Sequence, residues 1–142
     1  MKIKVLLVDD EKDFVEALAK RLELRNYAVT SVFSGESAIE MAEKHDFDVI
    51  ILDVLMPGIS GIEALKQIKK TKPITPVIML TGKATVNNAI EGMKQGALDF
   101  LMKPADTSVL IEKINSAYEI KKEHNERIRQ AEIKHILGTR GW

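Results

Sequence analysis

The sequence predicts an α/β domain built on a doubly wound, five-stranded parallel sheet, and three observations carry that expectation. Five short apolar runs alternate with five segments of helical period, the pattern of repeated βαβ units. Three of the runs are almost continuously apolar, as strands covered on both faces should be. Gly35, Gly61, Gly82 and Gly96 punctuate the joints, while Pro57, Pro73, Pro76 and Pro104 all fall outside the helical segments. Taken in order, the strands are expected at Ile3 to Val8, Ala28 to Val32, Val49 to Leu52, Val77 to Leu80 and Leu98 to Met102. Phe14, Val15, Leu18 and Leu22 mark the buried face of the first helix, Ala38, Met41 and Ala42 that of the second, and Ile62, Leu65 and Ile68 that of the third. Val86, Ala89, Ile90 and Met93 give the fourth at spacing i, i+3, i+4, i+7.

The fifth helix is expected to open at Thr107 or Ser108, and no Gly or Pro interrupts it until Gly138. That stretch spans roughly 45 Å at 1.5 Å per residue, about twice what is needed to cross such a sheet. Leu110, Ile111, Ile114, Ala117 and Tyr118 would cover the sheet. Lys121 to Arg127 is almost wholly charged or polar, and apolar residues return at Ile128, Ala131, Ile133, Ile136 and Leu137. Residues 121–142 therefore read either as a frayed, solvated tail or as a projecting helix that pairs with a copy of itself or a partner, with spacing too irregular for a full coiled coil.

Composition narrows the function. The chain's 142 residues carry 21 basic and 21 acidic side chains, so the basic footprint of a dedicated nucleic-acid binder is missing and no direct nucleic-acid contact is expected. No apolar run approaches the ~18 residues of a membrane span, and Met1 to Val8 is too short for a signal peptide, so a cytoplasmic protein is expected. With no cysteine, thiolate metal sites, disulfides and cysteine nucleophiles drop out together. His45, His124 and His135 lie far apart in sequence and read as solvated side chains.

In a parallel α/β sheet the ligand site lies beyond the carboxyl ends of the strands, at the switch point of strand order. Here the first run ends in Asp9-Asp10, the third in Asp53, the fourth in Thr81, and the fifth reaches Lys103. With strand order 2-1-3-4-5, Asp9, Asp10 and Asp53 come together. Two like charges 4 Å apart repel by about 4 kcal/mol at an effective dielectric of 20, so a positive partner is required. A hard divalent ion suits this set, because Mg²⁺ is held by one or two carboxylates with waters and phosphate oxygens. The available nucleophile is then an aspartate, which would form an aspartyl phosphate. Lys103 and Thr81 could hold the phosphoryl oxygens. Read alone, Asp10 would serve equally as a cap of the first helix, with Asp13 in the capping-box position. Asp53 would serve as a strand-end turn residue, Thr81 as an ST-turn before Gly82, and Lys103 as a surface amine.

The segments Leu7-Val8-Asp9-Asp10, Asp53-Val54-Leu55-Met56-Pro57 with Gly61, Thr81-Gly82 and Asp99-Phe100-Leu101-Met102-Lys103-Pro104 together resemble the receiver domain of two-component response regulators, a chemotaxis-regulator-like, flavodoxin-like fold. The resemblance covers residues 1 to about 120, leaving 121–142 as a helical extension with no output domain expected. It implies Asp53 as phosphoacceptor and Mg²⁺, or Mn²⁺, held by Asp10, Asp53, the main-chain oxygen of Leu55 and, through water, Asp9. It further implies that Lys103 contacts the phosphoryl group, that the peptide before Pro104 is cis, and that Pro57 and Gly61 are structural. Thr81 and Phe100 would be the switch residues, with phenylalanine standing where tyrosine is frequent. Leu55 and Lys83 would flank the path of a hydrolytic water and tune the phosphoryl lifetime.

The resemblance makes the chain a signalling protein, not an enzyme, that takes part in its own phosphorylation and dephosphorylation. A histidine kinase or phosphotransfer protein would donate the phosphoryl group. Output would pass through the face made by the fourth helix, fifth strand and fifth helix to a downstream protein that the sequence does not name. A homodimer through that face or through the C-terminal helix is a further expectation. Two alternatives stay open: a receiver fragment of a larger enhancer-binding transcription regulator, whose receivers the stretch Thr85 to Pro104, with Ala89 to Ala97 within it, resembles, or a non-phosphorylated pseudo-receiver binding module. A metal-dependent phosphatase with an aspartyl nucleophile is disfavoured, since such enzymes carry a second aspartate where this chain has Leu55.

Overall fold

The computed structural model describes residues 2–82 and 86–139. Its elements run β1 (Lys4–Val8), α1 (Lys12–Leu24), β2 (Ala28–Val32), α2 (Gly35–Lys44), β3 (Val49–Asp53), α3 (Gly61–Thr71), β4 (Val77–Thr81), α4 (Val86–Lys94), β5 (Asp99–Met102) and α5 (Thr107–Thr139). The strands form one parallel sheet in the order β2-β1-β3-β4-β5. All five strands fall where the apolar runs place them. Ile3 and Leu98 lie just outside theirs, whereas Asp53 and Thr81 belong to the ends of β3 and β4.

The near-continuous apolar runs are explained by two cores, one on each face. Leu6, Val8, Ile50, Leu52, Val77 and Met79 point to the layer that contains Ala38, Ala42, Ala64, Leu65 and Ile68. Val5, Leu7, Val49, Ile51, Ile78 and Leu80 point to the layer formed by Val15, Leu18, Leu22, Leu110, Ile114 and Ala117. Alternate residues of one strand thus feed opposite layers, so neither set can be polar. Ser34 caps α2 by accepting from the Ser37 N–H at 3.1 Å, Ser60 caps α3 by accepting from the Glu63 N–H at 3.2 Å, and Asp106 accepts from Ser108 N–H at 2.9 Å at the start of α5.

α5 is one helix of 33 residues, and it runs through Gly138 without stopping there. The solvated, frayed reading of residues 121–139 is therefore replaced by a projecting helix. Gly138 is the next-to-last residue of α5, and a glycine there costs at most about 1 kcal/mol relative to alanine. Lys121 ties the helix to the domain, donating to the Phe47 carbonyl at 2.6 Å and standing 3.6 Å from Asp48. Beyond it Ile128, Ile133, Ile136 and Leu137 are exposed. No helix among the described residues is long and apolar enough to cross a membrane.

Candidate functional site

The strand order decides where the acidic residues meet. α1 carries the chain from β1 outward to β2 and α2 carries it back across to β3, so β1 and β3 are neighbours whose following loops part in opposite directions. Val8 pairs with Leu52 in the register, which puts Asp9 beside Asp53 at the carboxyl edge. One ligand atom from each of Asp9, Asp10 and Asp53 lies within 4.8 Å of the others. Asp9 and Asp53 are buried and Asp10 is exposed, so the cluster has a dry floor and an open side. Thr81, buried at the end of β4, stands one register row past the Asp53–Leu80 pair. Its hydroxyl donates to the Gly82 carbonyl at 3.1 Å.

The loop after β3 is held by a close approach that only glycine permits. A Cβ at Gly61 would lie 2.0 Å from the Asp53 carbonyl oxygen, so α3 can start against the end of β3 only because residue 61 has no side chain. The Gly61 N–H donates to the Val54 carbonyl at 2.9 Å, and Gly58 turns the loop at φ +76°. Pro57 lies exposed on this loop. Met56 is buried while Leu55 points outward with 64% of its surface exposed. Leu55, two residues after Asp53, thus offers an apolar side chain that cannot itself hydrogen-bond a water.

The Lys103–Pro104 peptide is cis. Lys103, at the end of β5, donates its N–H to the Thr81 carbonyl at 2.8 Å. Its ammonium reaches back over the cluster: Nζ lies 2.6 Å from Asp9 Oδ2, 3.0 Å from Glu11 Oε1 and 3.7 Å from Asp53 Oδ1. The Phe14 ring lies beneath it, 4.7 Å from Nζ to the centroid. Asp9 Oδ2 is fully buried and, despite the near ammonium, has no aligned hydrogen-bond donor. Asp9 Oδ1 accepts from the Glu11 N–H at 3.0 Å.

These neighbours set the charge states. Burial, then the Asp9 charge, raise Asp53 to about 7, against the opposing pull of Lys103. Burial alone would lower Lys103, but its contacts with Asp9 and Glu11 and the charges of Asp53 and Asp9 hold it above the ordinary lysine value. One ammonium therefore leaves the carboxylates under-compensated, and a buried oxygen lacking a donor is the kind of group a hard cation satisfies.

Asp9, Asp10, Asp53, Thr81 and Lys103 are all at one edge, as the sequence expects. Asp10 is not the cap of α1: the N-cap is Glu11, and its side chain makes no cap bond. Phe100, in the middle of β5, is half-buried against the core on the α2–α3 side. Lys83 lies outside the described residues. His45, His124 and His135 are exposed and away from the cluster. Sequence reasoning gave Glu11 no role and placed Phe14 only on the buried face of the first helix, whereas both contact Lys103 from α1 and its cap. Nothing in the residue order marks Glu11 as the acid that Lys103 meets, and Phe14 carries only the signal of an apolar helical face.

The model of the response regulator receiver domain matches residues 5–115. The transcriptional regulatory protein ResD of Bacillus subtilis is 41% identical over 101 residues, 71% of this chain and 42% of that protein. A solved structure described as an adenylate cyclase from Rhodopirellula baltica is 28% identical, superposes with a TM-score of 0.87, and covers 93% of this chain and 98% of that one. NtrX from Brucella abortus is 29% identical, with a TM-score of 0.84 over 92% of this chain and 30% of that one. The chain spans about half or less of the length of the curated relatives it matches. With the motifs in order, the strand order and the acidic edge all agreeing with that match, the chain belongs to the response regulator receiver domains, signalling modules of two-component systems.

Proposed function

We propose that this receiver is switched by phosphorylation of Asp53 with Mg²⁺ held at the acidic edge, the phosphoryl group coming from a histidine kinase or phosphotransfer protein. The observation that carries the reading is the meeting of three carboxylates within 4.8 Å, with the Lys103 ammonium 3.7 Å from Asp53. Asp10, Asp53, the Leu55 carbonyl and, through water, Asp9 would hold the ion. The all-oxygen donor set fits it, as does buried Asp9 Oδ2, which has the Lys103 ammonium at 2.6 Å but no aligned hydrogen bond. Mn²⁺ fits the same donors. When bound, the ion supplies positive charge against the clustered carboxylates and the incoming phosphoryl oxygens.

The residues' part follows from their placement. An oxygen of Asp53 attacks phosphorus, the P–N bond to the donor imidazole breaks, and its electron pair stays on the donor nitrogen. Lys103 offsets charge on the transferred group from one side and the Thr81 hydroxyl from another. Drawing Thr81 toward the phosphoryl group moves the end of β4, and Phe100, lacking a hydroxyl, follows by packing alone. The face of α4, β5 and α5 is the element this local charge event biases. Ile90, Met93 and Met102 are exposed on those elements, with Leu98 exposed just before β5, and would meet a downstream protein or a second copy.

Residues 121–139 are read as a connector or pairing helix outside the receiver proper. In support, matches covering 92–93% of this chain reach past residue 115 and into the projecting helix. The NtrX match is the observation in favour of a receiver drawn from a larger regulator.

Incubation with Mg²⁺ and acetyl phosphate tests the reading. Wild type is expected to gain one phosphoryl group, Asp53→Asn none, and Asp10→Ala is expected to lose its response to Mg²⁺. An unmodified wild type would favour the pseudo-receiver instead.

A further inference from the structure

The Lys103 ammonium is not poised on Asp53. Its aligned hydrogen bond goes to Glu11 Oε1 at 3.0 Å, while Asp53 Oδ1, at 3.7 Å, is beyond hydrogen-bond range. Glu11 is the N-cap residue of α1 and yet makes no capping bond, so its carboxylate is not occupied by the helix. Its side chain is 65% exposed against 17% for Lys103, so it reaches in from the rim to the buried end of the lysine. Phe14, one turn later, supplies the ring beneath the same nitrogen at 4.7 Å. Lys103 therefore rests on the Asp9 side of the site, with Asp9 Oδ2 nearest at 2.6 Å and Glu11 and Phe14, two residues of one helix start, closing on the ammonium from the rim.

Resting on the reading of Asp53 as phosphoacceptor, we propose that Glu11 is a positioning residue that holds Lys103 in this resting position and must release it before the lysine can engage the transferred phosphoryl group. Two consequences follow, and they run in opposite directions. Without the Glu11 contact, Lys103 keeps only its pairing with Asp9, which bound Mg²⁺ competes for, so at saturating Mg²⁺ it reaches the phosphoryl oxygens more readily and phosphorylation speeds up. The freed ammonium also pairs more fully with Asp9 and Asp53, and the edge loses a negative charge, so Mg²⁺ binds less tightly. Glu11→Asp separates contact from charge, because the shorter side chain keeps the charge and cannot span the 3.0 Å contact.

The test uses the whole chain with acetyl phosphate, in which the acyl O–P bond breaks, an Asp53 O–P bond forms and acetate leaves. Rates at saturating Mg²⁺, beryllofluoride affinity and calorimetric Mg²⁺ affinity are compared in wild type, Glu11→Gln, Glu11→Asp and the same changes in a Lys103→Met background. Glu11→Gln is expected to phosphorylate faster and bind beryllofluoride more tightly by about two- to fivefold, the range of an exposed ion pair, with weaker Mg²⁺ binding. Glu11→Asp should share the gain in rate while keeping Mg²⁺ affinity closer to wild type. Both gains should vanish when Lys103 is methionine, as a double-mutant cycle requires of a direct pair. Equal or slower phosphorylation in Glu11→Gln, a gain that persists without Lys103, or a Glu11→Asp rate like wild type overturns the proposal. Failure of the Asp53 reading looks different: Asp53→Asn would then be modified like wild type.

Discussion

Asp53 illustrates how a single side chain is set by its place. An acid whose pKa is higher in the folded than the unfolded chain stabilises the fold fully below its unfolded value and loses that contribution as pH rises through the folded value. For Asp53 the window runs from its ordinary 3.8 to about 7. Metal-free protein is therefore expected to lose stability across that window, and Asp53→Asn to lose less. At about 1.4 kcal/mol per unit, the difference between the two above pH 7 has an upper limit of about 4 kcal/mol, reduced by any rearrangement of Lys103. Thermal melts in chelator at a series of pH values measure it, and parallel profiles for the two proteins would contradict the assignment. The identities of Asp9, Asp10, Asp53, Thr81 and Lys103 as a group were readable because each ends a strand-like run. Glu11 was not, since nothing in a sequence says which of several nearby acids a lysine will choose when that choice is made by side-chain reach across 92 positions.

Elements carry a different kind of information. The strands were legible because burial on both faces forces uninterrupted apolar runs, which mark their position. α5 was legible only at its start. Its first half is fixed by Leu110, Ile114 and Ala117, all fully buried against the sheet. Its second half has no such partner, and periodicity alone does not distinguish a projecting helix from a frayed one. The two halves should respond differently to substitution. Ile114→Ala is expected to cost about 2–5 kcal/mol through lost burial and cavity formation. Ile128→Asp, on the exposed part, is expected to change receiver stability by no more than about 0.5 kcal/mol. Denaturant melts at low protein concentration compare them, and a large loss in Ile128→Asp would mean that the projecting segment packs on the domain.

For the molecule as a whole, topology turns scattered residues into a site. Neither the pairing of β1 with β3 nor the meeting of Asp9 with Asp53, 44 positions later, is encoded locally; both follow from laying five βα units in the order 2-1-3-4-5. The neutral total of 21 basic and 21 acidic side chains conceals this, because charge is balanced over the chain but not at the edge, where Lys103 faces Asp9, Asp10, Glu11 and Asp53. That imbalance is what makes the edge suited to a divalent cation and a phosphoryl group. The central claim is that the group lands on Asp53. Phosphorylation with acetyl phosphate and Mg²⁺, followed by borohydride reduction and peptide mapping, reads the acceptor directly, since an aspartyl phosphate is reduced to homoserine. The account predicts homoserine at position 53 alone. Homoserine at position 9 or 10, or none anywhere after a confirmed phosphoryl gain, would contradict it.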